Sequence, residues 1–207
     1  MKKIVAFGAF GLLTALSAFA PATGVNLITY SKIQTGNWTV DKAHTNVKFT
    51  VSHLVISDVE GRFKSFDGTL ESSKPDFSDA KINFTVDVAS VNTDNDNRDN
   101  HLKSPDFFDV AKYPQMKFVS TSFVPLGDNK YTLVGNLTIR DVTKPVSFDV
   151  KYGGTASAMG GTHAGFKATT KINRFDYNLK WNNTTDTGGM VVGSDVEITL
   201  NVDFKKS

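Results

Sequence analysis

The sequence predicts an all-β domain of eight strands, either a sandwich or a closed barrel. Eight stretches of the chain alternate apolar with polar residues, which is the pattern of a strand with one buried face. No long helical segment separates these stretches, so their apolar faces have only one another to bury against. Eight is also the strand number at which a barrel interior is either just filled by side chains or holds one small ligand.

The strands follow one another along the chain. The first runs from Val47 to Val51. The second spans Val59 to Glu71, and its apolar residues change parity between Phe63 and Phe66, which predicts a β-bulge or sharp bend at that point. The other six strands are defined by these apolar residues: Ile82, Phe84, Val86 and Val88; Met116 and Phe118; Tyr131, Leu133, Leu137 and Ile139; Val146, Phe148, Val150 and Tyr152; Ala164, Phe166, Ala168 and Ile172; and Val196, Ile198, Leu200, Val202 and Phe204.

One short helical insertion is predicted, between the third and fourth strands. It follows a polar stretch from Asn92 to Asn100, covers His101 to Lys112, and is ended by Pro114. Its apolar residues have an irregular but helix-compatible spacing: Leu102, Phe107, Phe108 and Val110.

The first 22 residues have the pattern of a secretory signal peptide. Two lysines precede an apolar run from Ile4 to Ala20 that carries no charge and is shorter than the ~20 residues of a spanning helix. Cleavage is expected after Ala22, with Ala20 as the alternative site and an uncleaved anchor as the alternative interpretation. The prediction is a periplasmic or secreted protein with a flexible arm at residues 23–36 and a single domain at 37–207.

Composition excludes several classes of function. Removal of the two N-terminal lysines lowers the formal charge from +2 to zero, so the mature chain has no basic excess for nucleic acid. Cysteine is absent, and no nucleophile elbow, P-loop or dinucleotide fingerprint occurs. Since the four histidines lie in separate segments, no metal site is expected: His44, His53, His101 and His163. The sequence therefore carries no recognisable catalytic motif, and neither catalysis nor a cofactor is expected.

Short motifs in a characteristic order cover nearly the whole mature chain. They are Trp38-Thr39-Val40-Asp41, His44, Val47, Phe49 and His53; Gly61, Phe63 and Phe66; His101 to Asp109 with Tyr113-Pro114; Leu133, Gly135 and Leu137-Thr138-Ile139; Val142 to Val146; and Ile172-Asn173-Arg174 with Asp176. Through that order the chain resembles the YceI-like family of exported, lipocalin-like proteins, with Tyr177-Asn178 where the family pattern has an aromatic residue followed by Gly. The resemblance implies an extended, eight-stranded, antiparallel up-and-down barrel with a short helix near one end. It also implies an apolar tunnel for a long lipid, such as a polyisoprenoid or an isoprenoid quinone.

An inward apolar face would line the barrel with side chains suited to a hydrocarbon. Gly61, Gly68 and Gly135 share that parity, where they either leave room for a ligand or permit the strands to bend. His53 and Arg174 are candidates for contact with a polar head group, and a purely structural role is the alternative for both. The predicted lining consists of Val47, Phe49, Val51, Phe63, Phe84, Val86, Phe118, Leu137, Ile139, Phe148, Val150, Phe166, Ile198 and Leu200.

The resulting hypothesis is an exported carrier or reservoir whose partner is a long-chain apolar lipid. It includes no nucleic acid and no stable membrane insertion, and it leaves a homodimer open. One alternative is a small outer-membrane barrel with its apolar residues outside, although the chain ends in Lys205-Lys206-Ser207 and not in an aromatic residue. The others are a lipid-modifying enzyme that uses His44 or His53 with Asp41, and a packed barrel that serves as an interaction module.

Overall fold

The computed structural model describes residues 35–158, 160–186 and 188–207. The predicted signal peptide (1–22) and residues 23–34 of the predicted arm lie outside these ranges. The elements in chain order are β1 (Gly36–Val40), β2 (Asn46–His53), β3 (Ser57–Phe63), β4 (Phe66–Ser72), β5 (Lys81–Asp87), β6 (Val91–Asn92), α1 (Asp96–Lys103), β7 (Gln115–Gly127), β8 (Lys130–Ile139), β9 (Val142–Ala158), β10 (Gly161–Asn173) and β11 (Val192–Lys206). Two short 3₁₀ turns occupy Val88–Ser90 and Arg174–Tyr177.

The strands close into one antiparallel barrel with eight strands around its wall. Three of these eight are each broken in two, because β1 continues into β2, β3 into β4, and β5 into β6. The last strand, β11, pairs with both halves of the first: Val40 lies opposite Phe204, and Val47 lies opposite Leu200. The all-β, eight-stranded antiparallel barrel expected from the sequence is confirmed, and the last strand closes it against the first.

The parity change in the second predicted strand is a real break. β3 ends at Phe63 and β4 begins at Phe66, and both phenylalanines are buried. The two residues between them are held by Ser90, whose carbonyl accepts from the Lys64 N–H (3.2 Å) and whose Oγ accepts from the Ser65 N–H (3.0 Å). The bend therefore keeps apolar side chains pointing inward on both sides of it.

The helix lies earlier in the chain than predicted. α1 spans Asp96–Lys103 after β6, within the polar stretch, whereas residues 104–112 form turns and bends. Asn95 caps α1 by accepting from the Arg98 N–H (3.0 Å), and Pro105 restricts Ser104 to the extended conformation that ends it. Asp99 is the one buried residue of α1, so the helix shows no apolar period by which sequence reasoning could find it. None of the helices in the described ranges has the length and apolar composition of a membrane span.

The barrel has a packed end and an end occupied by longer connections. At the packed end, the β4–β5 loop inserts Phe77, which is 0% exposed and whose ring centroid lies 5.9 Å from Trp38, 5.6 Å from Tyr152 and 5.4 Å from Phe166. Because neighbouring strands are antiparallel, the β2–β3 hairpin, α1 and the β10–β11 loop all lie at the opposite end. We call that opposite end the loop end.

Candidate functional site

The half of the barrel towards the loop end encloses an apolar cavity of about 370 Å³. That volume is within the range of about 300–1,000 Å³ found for small-molecule sites. Strand alternation directs every second side chain inward, and phenylalanine rings supply much of the wall. The phenylalanine rings that border the cavity are Phe49, Phe63, Phe84, Phe107, Phe108, Phe118, Phe148 and Phe204.

Twelve of the fourteen residues predicted to line a tunnel border this cavity. They are Val47, Phe49, Val51, Phe63, Phe84, Val86, Phe118, Leu137, Ile139, Phe148, Ile198 and Leu200. The other two, Val150 and Phe166, are buried but lie outside the cavity wall, and Phe166 packs against Phe77 and Tyr152 at the packed end. Alternation distinguishes the two faces of a strand, but it does not give the depth of a residue along the barrel axis.

The three inward-facing glycines are covered by phenylalanine rings. Gly61 lies directly opposite Phe49 and Gly68 directly opposite Phe84, while Phe118 covers Gly135 diagonally. A Cβ added at these glycines would lie 2.2, 2.6 and 2.4 Å from the nearest atom of the covering ring. The glycines therefore leave room for neighbouring side chains in the wall, which neither interpretation from the sequence anticipated.

Several cavity residues lie outside the strands and were not assigned to the site from the sequence. His101 at the end of α1 makes edge-to-face contacts with Phe107 and Trp181, both at 5.0 Å between ring centroids, and its Nε2 is 3.0 Å from Asp106 Oδ2. Leu179 lies beside them in the wall. Hydrophobic periodicity does not identify cavity residues in irregular segments. The apolar residues around 102–108 are the sequence signal in this region, and their spacing predicts a helix face and not a cavity wall.

The β2–β3 hairpin beside the cavity ends in exposed apolar residues. Leu54, Val55 and Ile56 are 38%, 76% and 85% exposed. The Leu54 N–H donates to the carbonyl of Val191, a residue of the cavity wall (2.9 Å). The hairpin therefore places exposed apolar side chains next to the cavity wall.

The two residues proposed for head-group contact differ in their surroundings. His53 borders the cavity near the hairpin, and its ring makes no hydrogen bond within the part of the chain that the structure describes. Arg174 also borders the cavity but is only 3% exposed. Burial lowers the pKa of its guanidinium. Head-group contact stays a prediction for both residues.

Arg174 holds the β10–β11 loop through backbone carbonyls. Its Nε donates to Gly193 (2.8 Å) and its Nη2 to Val192 (3.0 Å), while Nη1 donates to Leu179 (2.5 Å) and Trp181 (2.7 Å). Four of the five guanidinium N–H groups are therefore used within the protein. The 3₁₀ turn Arg174–Tyr177 is capped by Asn178 in the left-handed conformation (φ 60°), which asparagine adopts more readily than most residues, so it can replace the glycine of the family pattern.

Asp41 and His44 lie away from the cavity, at the bend between β1 and β2. His44 Nδ1 is 2.9 Å from Asp41 Oδ2, and this hydrogen bond lowers the pKa of Asp41 and raises that of His44. Neither residue borders the cavity. The enzyme alternative requires Asp41 at the cavity mouth together with His44 or His53, and Asp41 lies outside the cavity wall.

Comparisons with known proteins identify relatives over most of the chain. The family model described as the YceI-like domain matches residues 38–204. A UPF0312 protein of Staphylococcus aureus is 38% identical over 173 residues, which are 83% of this chain and 98% of that protein. The crystal structure of a Campylobacter jejuni YceI protein superimposes with a TM-score of 0.65 at 35% identity, covering 81% of this chain and 96% of its own.

A more distant structural neighbour shares the fold. It is a polyisoprenoid-binding domain from Saccharophagus degradans, implicated in plant cell wall breakdown. The TM-score is 0.60 at 14% identity, and the match covers 82% of this chain and 98% of that one. At this level of identity the similarity shows the fold alone.

Proposed function

This chain belongs to the YceI-like family, and we propose that it binds one long apolar lipid, a polyisoprenoid or an isoprenoid quinone, in its barrel cavity. The observation that carries the proposal is the character of the wall. Its inward strand positions are apolar and rich in phenylalanine, and no aspartate or glutamate occurs among the described residues that border it. Such a wall favours a hydrocarbon and offers a cation little compensation for lost water.

Transfer from water provides the free energy of binding. Burial of a CH₂ group stabilises by about 0.8 kcal/mol, so each five-carbon isoprene unit contributes a few kcal/mol before the cost of ordering the chain. The exposed apolar hairpin tip at Leu54 to Ile56 gives the lipid an apolar surface beside the cavity. The polyisoprenoid-binding domain of S. degradans supports the proposal in that the same fold accommodates this class of lipid there.

The carrier or reservoir role and the export of the protein are also part of the proposal. The charged start and apolar run of residues 2–20 support export to the periplasm or the medium. The inward apolar face favours a binding cavity over an outer-membrane barrel, whose apolar side chains would point outward. The position of Asp41 and His44 outside the cavity favours binding over lipid modification.

The proposal is tested by identifying what the protein carries. Protein purified from its own host is analysed by native mass spectrometry and then by organic extraction, with one polyprenol or quinone per chain expected. Protein that is empty, and that also fails to take up added polyprenols and quinones, would refute the proposal.

A matched pair of variants on β11 locates the bound lipid. Ile198→Trp places a large side chain in the cavity, whereas Glu197→Trp places it on the exposed outer face of the same strand. We expect Ile198→Trp to lose most of the bound lipid and Glu197→Trp to retain it. Equal lipid content in the two folded variants would show that the lipid binds elsewhere.

A further inference from the structure

Two histidines and two aspartates from distant parts of the chain meet on the outer surface of the barrel, near its packed end. Asp41 and His44 lie at the bend between β1 and β2. His163 lies on β10, where it pairs with Lys205 of β11, and Asp203 lies two residues before Lys205. The fold thus brings together two of the histidines that appear isolated in the sequence.

The four side chains present their ligand atoms to one another. Asp41 Oδ2 is 2.9 Å from His44 Nδ1 and 4.0 Å from His163 Nδ1, and His163 Nδ1 is 2.9 Å from Asp203 Oδ1. One ligand atom each from Asp41, His44 and Asp203 lies within 4.8 Å of the other two. In a tetrahedral zinc site the ligands lie about 2.1 Å from the ion, and hence about 3.4 Å from one another. The separations of 2.9 and 4.0 Å lie close to that spacing, so reorientation of these side chains would bring their ligand atoms around one ion.

The backbone around the cluster is fixed by hydrogen bonds. The Asp41 N–H donates to the Asp203 carbonyl (2.8 Å), and the Asp203 N–H donates to Thr45 Oγ1 (3.0 Å). The Ala43 N–H donates to Asp41 Oδ1 (2.9 Å), which leaves Oδ2 turned towards the imidazoles. Support of this kind around the ligands orients them and raises affinity for a metal.

The surroundings leave the cluster accessible from solvent. His44 and Asp203 border a shallow depression of about 330 Å³ on the outer surface. The side chains of Asp41, His163 and Asp203 are about one-quarter exposed or less, whereas that of His44 is 62% exposed and free to turn towards an ion. An ion could therefore enter from one side and meet three well-positioned ligands and one adjustable ligand.

We propose that Asp41, His44, His163 and Asp203 bind one divalent transition-metal ion of the zinc class. Two imidazole nitrogens with two carboxylate oxygens suit Zn²⁺, Ni²⁺ or Cu²⁺ better than Mg²⁺ or Ca²⁺, which favour sites made of oxygen alone. The bound ion joins the β1–β2 bend to the β10–β11 pair, so it stabilises the closure of the barrel by binding the folded state alone. The site lies outside the lipid cavity, so its existence does not depend on the proposed lipid.

The test uses the full, untagged chain after treatment with a chelator, because an added histidine tag would itself bind the metal. Zn²⁺ is titrated in competition with a chromophoric chelator, and Co²⁺ is added separately to record its visible spectrum. We expect one Zn²⁺ per chain, a higher melting temperature with Zn²⁺ than without it, and the intense visible bands of tetrahedral Co²⁺.

Variants identify the ligands. His44→Ala, His163→Ala and Asp203→Asn should each weaken Zn²⁺ binding at least tenfold. Asp67→Asn, which changes an exposed aspartate paired with Lys42, should leave binding unchanged. His44 lies on an exposed turn, so His44→Ala keeps the test valid if another variant fails to fold. Absence of saturable Zn²⁺ binding by the native chain, or an equal loss of affinity in Asp67→Asn, would overturn the proposal.

Discussion

Replacement of Gly61 with alanine should push the Phe49 ring into the cavity and reduce the lipid that the barrel holds. The new Cβ would lie 2.2 Å from Cζ, 2.5 Å from Cε1 and 2.9 Å from Cε2 of Phe49, so the ring must move. All three nearest atoms belong to this one side chain, which borders the cavity and has free space on that side. The displaced ring would then occupy part of the about 370 Å³ that we propose for the lipid.

Substitution by alanine should destabilise the fold less at Gly61 than at Gly135. Overpacking a core costs about 1–3 kcal/mol, and we expect about 1 kcal/mol at Gly61, because a side chain beside a cavity can give way. At Gly135 the added Cβ also lies 2.5 Å from the backbone oxygen of Val119, which cannot move without the strand, so we expect about 3 kcal/mol. For a domain of this size each kcal/mol lowers the melting temperature by about 2–4 °C.

Thermal unfolding of lipid-free protein measures the stability cost, and native mass spectrometry after loading with a polyprenol measures the bound lipid. Gly165→Ala is the matched control, since a Cβ there has no atom within 4 Å and the residue also lies in a strand. The reasoning is refuted if Gly61→Ala binds as much lipid as Gly165→Ala, or if Gly135→Ala is no less stable than Gly61→Ala.

Two further predictions concern the loops at the ends of the barrel. Arg174→Met should lower the free energy of unfolding in urea by at least about 3 kcal/mol, because four carbonyls lose their donor. Arg174→Lys should recover only part of this lost free energy. A loss below about 1 kcal/mol in Arg174→Met would contradict this account. Hydrogen bonds from Ser73 and Ser72 hold the pKa of Asp79 well below its ordinary 3.8. The ionised Asp79 therefore stabilises the fold fully above pH 3.8, and this stabilisation is lost as the pH falls through the lower pKa of the folded state. The stability difference between the native chain and Asp79→Asn should therefore shrink between pH 7 and pH 3 in urea unfolding, and a constant difference would exclude this role for the carboxylate.

Local periodicity predicted the strands well. The alternation in β11, from Val196 to Phe204, is set by residues within one strand, and a half-buried strand can satisfy it in only one orientation. The break between Phe63 and Phe66 was visible for the same reason. α1 was misplaced because its residues are polar and its stability comes from a cap at Asn95 and a buried carboxylate at Asp99, which no apolar period reveals.

The tertiary structure alone decided how deep each inward side chain lies and which distant polar groups meet. Phe166 and Phe148 both point into the barrel, yet Phe166 packs at the packed end and Phe148 borders the cavity. The difference arises because the loop that carries Phe77 fills only the packed end. His163 reaches Asp203 only through the pairing of β10 with β11. From the sequence alone come the strand count and the division of each strand into an apolar and a polar face, because these depend on neighbours along the chain. The cavity, the glycine–phenylalanine contacts and the histidine–aspartate cluster depend on strand register and loop insertion, which bring together residues that the chain keeps far apart.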